Sequence, residues 1–236
     1  MPTPFAVPEP DLPPIEGGWE LQPFGSEAEP ELARLQFWAP ARPDQLYDLD
    51  ADPRAAEFHD AMPYWAWLWE SAPRTVRALE RRGVEGRVLE VGAGLGAVGI
   101  ALAVRASGRV LITLTDHDQL SITAIRANAA RHGLKTDAVQ PLDWRTPTEI
   151  PGGRFPTIIG CEVIYDPGSH MALLEVLERH LEPGGRVYLA DPGRDRVAQF
   201  LKRAESHGFR AALETENGSA AEPVRGEFRI LVLTRP

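Results

Sequence analysis

The stretch that constrains this chain most is Val88-Leu-Glu-Val-Gly-Ala-Gly-Leu-Gly-Ala-Val-Gly-Ile-Ala-Leu102. A short apolar strand ending at Glu90 or Val91 runs into a glycine turn, and a helix is entered near Gly96. Glycines at 92, 94 and 96 allow a tight turn and let a ligand reach amides that a Cβ would screen. The helix start behind the turn offers unpaired N–H groups and the positive end of a dipole. That geometry suits a nucleotide-like ligand. A turn that only packs a helix on a strand would account for the glycines alone. It would not account for the next apolar run, Val110 to Leu114, which closes in Thr115-Asp116-His117-Asp118. An acid about twenty positions past the turn, at the end of the second strand, is placed to hydrogen-bond ribose hydroxyls.

Two cofactors compete for this pattern. Gly94-Leu-Gly96-Ala-Val-Gly99 satisfies the dinucleotide signature G-x-G-x-x-G, which would make an NAD-dependent oxidoreductase. Glu90, two residues before Gly92, instead gives Glu-x-Gly-x-Gly-x-Gly. This resembles the first motif of the seven-strand (class I) methyltransferases, where the acid shapes the methionine end of an S-adenosylmethionine site. Asp116 serves a ribose under either reading.

Composition narrows the classes. The chain has 236 residues with 43% hydrophobic and 25% charged, enough for one α/β domain with a substantial core. No apolar run approaches a membrane span, and the first thirty residues lack Lys and Arg, so neither a membrane protein nor a transit peptide is expected. A cytoplasmic location is the default. Cys161 is the only cysteine, which excludes a disulfide framework and a cysteine-based zinc cluster, and no metal is expected. The net charge of −9, with two lysines among the 25 basic residues, disfavours a nucleic-acid partner and suits a basic or neutral substrate.

Along the chain, residues 1–45 hold ten of the 22 prolines and are expected to wrap the domain, with a short strand at Arg34–Trp38. Residues 1–15 are equally readable as a disordered extension. A proline-rich arm is thus expected over 1–55 and one domain over 56–236. Pro63 is expected to open a helix running to about Arg82, kinked or restarted at Pro73. Trp65 and Trp69 would share its face with Ala72 and Val76, as core or as a lid over the glycine turn. Strands are expected at Val110–Asp116, Ala138–Gln140, Phe155–Cys161, Arg186–Ala190, Ala211–Thr215 and Phe228–Thr234. Helices are expected at Gln119–His132, at Ser169 to about Leu181 with Ser169 capping, and at Arg196–His207. The last two strands have no helix between them and should pair antiparallel. The expected fold is α/β, a doubly wound, mostly parallel sheet of seven strands. Asp143-Trp144 after the third strand would read an adenine ring, carboxylate to amine and indole to base face.

Together these segments resemble a known family. Pro63-Tyr-Trp-Ala66 with Trp69, Leu89-Glu-Val-Gly-Ala-Gly94, Asp116, Asp143-Trp144, Glu162-x-x-Tyr165 and Asp191-Pro-Gly-Arg194 are similar to the family 16 protein lysine methyltransferases. Within that family they look closest to the electron-transfer-flavoprotein β-subunit lysine methyltransferase and its bacterial relatives, a group often labelled nicotinamide N-methyltransferase-like. The resemblance covers about residues 55–235. It implies S-adenosylmethionine as cofactor, with Glu90, Gly92, Gly94 and Gly96 at its methionine and ribose parts and Asp116 on the ribose hydroxyls. Asp143 and Trp144 would hold the adenine, and Trp65 or Trp69 would flank the cofactor. Ala93, His117 and Cys161 complete the expected cofactor contacts. Glu162 and Tyr165 are placed where the methyl group meets its acceptor, and are the expected catalytic residues.

The implied acceptor is a protein lysine or a small-molecule amine, and a small-molecule N- or O-methyltransferase would share the whole cofactor half. His117 and His170, which follow strands, offer alternative bases. A nucleic-acid base methyltransferase would carry Asn-Pro-Pro-aromatic after the fourth strand, which this chain lacks. Cys161 lacks the preceding proline of a cytosine C5 nucleophile.

Overall fold

The protein is described from a computed structural model over residues 10–26, 29–46 and 62–235. Its centre is a strand flanked by parallel neighbours. β3 (Gly86–Val91) pairs in parallel with β4 (Val110–Asp116) on one side and β6 (Phe155–Cys161) on the other. Beyond them lie β5 (Val139–Pro141) and β7 (Leu181–Asp191), again parallel. β9 (Arg229–Thr234) runs antiparallel to both β7 and β8 (Arg210–Glu214). The order across the sheet is β5-β4-β3-β6-β7-β9-β8, the expected seven-stranded doubly wound sheet closing in an antiparallel pair.

The period of two along each strand divides the core. Val88, Ile159, Tyr188 and Ile230 face one layer, with α2 (Ser71–Arg81), α3 (Ala97–Arg105) and α4 (Gln119–Arg131). Their neighbours Leu89, Ile158, Leu189 and Leu231 face the other, with α5 (His170–His180) and α6 (Val197–Ser206). Both faces are buried, which is why the strands read as apolar runs rather than alternating ones.

The arm is more regular than its prolines suggest. β1 (Trp19–Pro23) and β2 (Gln36–Pro40) form a separate antiparallel pair, joined through the short helix α1 (Pro30–Ala33). The prolines close both strands and open the helix, positions that need no N–H. The strand expected at Arg34–Trp38 is therefore shifted two residues on. The arm seats on α4 through the buried Asn128. That side chain accepts from Trp38 N–H (2.7 Å) and donates to the Trp38 carbonyl (3.1 Å) and the Leu95 carbonyl (3.0 Å). The expected boundary at 55/56 and the residues 1–9 of the expected extension lie outside the described residues.

One helix is shorter than expected. Tyr64–Ala66 is a single 3-10 turn, Trp67 is extended at φ −104°, and α2 starts at Ser71 rather than at Pro63. The tryptophans therefore stand before the helix and do not form a stripe on it. Pro73 does not kink α2, because it sits in the first turn, where N–H groups have no intrahelical partner. Ser169 precedes α5 at the expected place, but its hydroxyl donates to the Asp166 carbonyl (2.8 Å) instead of capping. β7 starts at Leu181, five residues before the expected Arg186, and a register irregularity against β6 between Phe155 and Thr157 absorbs the glycine pair 184–185.

Candidate active site

The carboxyl ends of β3, β4, β6 and β7 meet at the point where strand order reverses, the place where open α/β sheets bind ligands. A cavity of about 790 Å³ lies there, floored by the glycine turn and roofed by the tryptophan segment and the loops after β6 and β7. It has the size of a nucleoside-cofactor site.

The turn works through absent side chains. Gly92 and Gly94 sit at φ 61° and 59°. A Cβ on Gly94 would stand 3.1 Å from the Trp65 carbonyl oxygen, and one on Gly92 would stand 2.9 Å from Val163 and 3.3 Å from the Trp144 ring. Trp65 and Trp144 thus press on the turn from two sides. Asp116, 5% exposed, fastens it from below. One carboxylate oxygen accepts the Gly94 N–H (2.9 Å), and the other accepts those of His117 (2.8 Å) and Asp118 (3.1 Å). Glu90 lies under the helix start, where it accepts the Gly99 N–H (2.9 Å). Burial pushes its pKa up to about 8, and the nearby Asp116 adds to the rise. Gly99 is glycine because a Cβ there would collide with the Glu90 carboxylate and with Leu114.

The far wall is built around Glu162. Glu162 directly follows β6 in the left-handed region at φ 59°, a conformation that a non-glycine residue rarely holds. Its N–H donates to the Ala190 carbonyl of β7 (2.8 Å), which turns its side chain toward the cavity. The Ser71 hydroxyl at the start of α2 and the Arg194 guanidinium donate to its two carboxylate oxygens. Beside it the Cys161 thiol contacts the hydroxyls of Thr75 (3.3 Å) and Ser71 (3.5 Å), and burial pushes its pKa up to about 12, so it stays protonated. Tyr165 meets Tyr64 edge-on at 5.0 Å, forming an aromatic corner next to Glu162.

A family model described as lysine methyltransferase, family 16, matches residues 62–207, which include every one of these cavity features. The chain belongs to this family. Among curated relatives, the protein N-lysine methyltransferase METTL21A of Danio rerio is 30% identical, covering 52% of this chain and 58% of its own. The electron transfer flavoprotein β subunit lysine methyltransferase of Xenopus laevis is 32% identical over 58% of this chain and 54% of its own. A tRNA1(Val) (adenine(37)-N6)-methyltransferase of Dickeya chrysanthemi is 28% identical over 64% of this chain and 66% of its own. This chain thus spans between 54% and 66% of the length of these relatives. The fold is shared with a TehB-like SAM-dependent methyltransferase of Corynebacterium glutamicum, at a TM-score of 0.55 and 17% identity over 78% of this chain and 97% of that one.

Of the family residues expected from sequence, the cavity gathers Trp65, Trp69, Glu90, Gly92, Ala93, Gly94, Asp116, His117, Asp143, Trp144, Cys161, Glu162 and Tyr165. Gly96 does not line it. At φ 76° it precedes α3 and faces Ile100 and Ile125, so its part is packing. Asp143 lines the cavity but is held by Arg145 through its N–H (2.9 Å) and guanidinium (3.1 Å). His117 is half-exposed beside Asp116, at 3.5 Å. His170 is fully buried against the Ile164 carbonyl and the Phe200 ring, away from the cavity, and burial lowers its pKa. Ser71 and Arg194 were not among the expected site residues. Sheet order exposes Arg194: β7 neighbours β6, so the Asp191-Pro-Gly-Arg194 turn must end beside Glu162.

Proposed function

We propose that this protein is an S-adenosylmethionine-dependent methyltransferase acting on a lysine side chain of a protein. The observation that carries this reading is Glu162, a buried carboxylate held in a strained backbone conformation at the wall of the cavity opposite the glycine turn. The cavity walls support it. Among the described residues six carboxylates line the cavity (Glu90, Asp116, Asp118, Asp143, Glu162, Asp166) against three arginines (Arg145, Arg194, Arg196). Even with Glu90 protonated, the surplus is negative and favours a cationic acceptor.

The residues fit the cofactor on their own geometry. The glycines let the turn lie close under Trp65 and Trp144 at the cavity floor, Asp116 lines the cavity at the end of β4 within reach of ribose hydroxyls, and Trp144 over Gly92 offers a ring to an adenine. When bound, the cofactor supplies a methyl group on a sulfonium, which any lone pair aligned behind it accepts. The rest falls to positioning and water exclusion by the chain. A lysine amine with a pKa near ~10.4 is neutral in fewer than about one molecule in a thousand at pH 7. The ammonium bound at Glu162 first loses one proton to solvent, after which Glu162 accepts hydrogen bonds from the neutral amine and orients its lone pair, and Tyr64 and Tyr165 wall the approach. The Cys161 thiol stays neutral and leaves this step to Glu162.

The arm of residues 1–55 is an accessory to the methyltransferase domain of 56–236 in this reading, and the protein works in the cytoplasm without membrane or nucleic acid. Among the described residues no helix is long and apolar enough to cross a membrane. The net charge of −9 weighs against a nucleic-acid acceptor despite the tRNA-modifying relative. Two measurements test the reading. By titration calorimetry, S-adenosylmethionine and S-adenosylhomocysteine bind and NAD does not. In a host lysate given tritiated S-adenosylmethionine, label enters the acid-precipitable protein. Label in nucleic acid or only in the acid-soluble fraction refutes the protein acceptor.

A further inference from the structure

Arg194 stands between two buried carboxylates and satisfies only one of them. One of its terminal nitrogens donates to Glu162. The other, Nη1, is buried without a hydrogen-bond partner and points at Asp191 Oδ2, 3.7 Å away. Asp191 is fully buried. Its Oδ1 accepts the N–H groups of Gly193 (2.8 Å) and Arg194 (2.7 Å), while Oδ2 has no hydrogen-bond partner and only the distant Nη1 of Arg194 beside it. Two complementary groups, each costly to leave unmade, thus face one another about 0.5 Å beyond hydrogen-bond range. Burial correspondingly pushes the Asp191 carboxyl above the ordinary carboxylate range. Arg194 itself lines the cavity, with its side chain 31% exposed, so it has room to move.

We propose that Arg194 is a positioning residue that occupies Glu162 until an acceptor amine arrives and then transfers its guanidinium to Asp191. This rests on the reading of Glu162 as the acceptor-binding carboxylate. The closing of Nη1 onto Oδ2 converts two unsatisfied buried groups into a charge-assisted pair, and that gain offsets the loss of the Glu162 contact. Glu162 is never left as an uncompensated buried charge: one cation replaces another. A neutral acceptor has no charge with which to displace Arg194, so the exchange selects amines that arrive as ammonium ions.

The test uses butylammonium chloride as a stand-in for a lysine side chain, titrated into the full chain saturated with S-adenosylhomocysteine. Asp191→Asn keeps the Oδ1 acceptor of the turn and removes the second carboxylate for Arg194. It is expected to raise half-saturating butylammonium about tenfold, with S-adenosylhomocysteine affinity unchanged within about twofold. Arg194→Gln frees Glu162 and lowers half-saturation. In the double variant the Asp191→Asn effect disappears, because Asp191 acts only through Arg194. A through-space or structural role for Asp191 would leave that effect intact in the double variant and would overturn the proposal. Should Arg194→Gln not fold, Arg194→Lys replaces the fork by a point donor that cannot bridge both carboxylates, and the Asp191→Asn effect must shrink in it. Saturable wild-type binding with no change in any variant defeats the exchange and leaves the amine reading standing. No saturable binding in any form, with S-adenosylhomocysteine still bound, defeats both.

Discussion

Glu162 and Glu90 are both buried carboxylates on the cavity wall, and their surroundings differ. Glu162 has a guanidinium and a hydroxyl on its oxygens, whereas Glu90 has one backbone N–H and the nearby carboxylate of Asp116. Glu162→Gln keeps the size and the contact to Arg194 but removes the charge that orients an amine. Turnover is expected to fall about 100-fold or more, while cofactor affinity by calorimetry stays within a few-fold. Survival of near-normal turnover would remove Glu162 from the mechanism. For Glu90 the sign follows from linkage. Its pKa is raised from 4.5 to about 8 in the folded protein, so between those values the folded state holds a proton that the unfolded state has lost. Stability contributed by this group is full below 4.5 and is lost as pH rises toward about 8. Glu90→Gln removes that dependence. In urea denaturation of the cofactor-free protein, the variant should gain on wild type by up to about 1.4 kcal/mol per pH unit across this window. A constant difference between the two would contradict the assigned burial.

The elements of the cofactor half were legible because each carries its own signal. The apolar runs at Val88–Val91 and Val110–Leu114 and the glycines between them are local patterns, and the structure places them as read. The tryptophan segment was not legible. Four-residue spacing suggested a helix, but Trp65 instead finds Trp19 of the arm across the chain, and Trp69 folds back on Tyr64. Tertiary contacts overrode the local pattern. Asn128 shows the same limit, since a polar residue inside an amphipathic helix gives no hint that it joins two distant segments. Its side chain holds both polar groups of Trp38 and the carbonyl of Leu95, which lies inside the glycine turn. Asn128→Ala strands these groups and should cost about 2 kcal/mol in urea denaturation. Hydrogen exchange should quicken at the β1–β2 amides and at the glycine turn but stay slow in β6 and β7. Uniform destabilisation would show that Asn128 is not the tie between arm and turn.

At the scale of the molecule, the sheet order converts separate motifs into one site. β6 lies between β3 and β7, and it neighbours β3 only through a reversal of strand order. Glu90, Asp116, Glu162 and Asp191 come from four strands yet all sit at the same edge. That convergence was legible through the fold, whereas Ser71 was not, because its pairing to Glu162 depends on packing across layers, and Arg194 comes beside Glu162 only once β7 is placed next to β6. The negative surplus on the cavity wall and the overall charge of −9 agree with a cationic acceptor at both scales. The central claim, methyl transfer to a protein lysine through Glu162, meets its most direct test in the identity of the labelled product. Host lysate protein labelled from tritiated S-adenosylmethionine is hydrolysed to amino acids and separated, with wild-type and Glu162→Gln enzyme run side by side. The account predicts tritium in methylated lysine with wild type and a near-complete loss with the variant. Tritium in another methylated residue, or equal methyl-lysine from both enzymes, would contradict it.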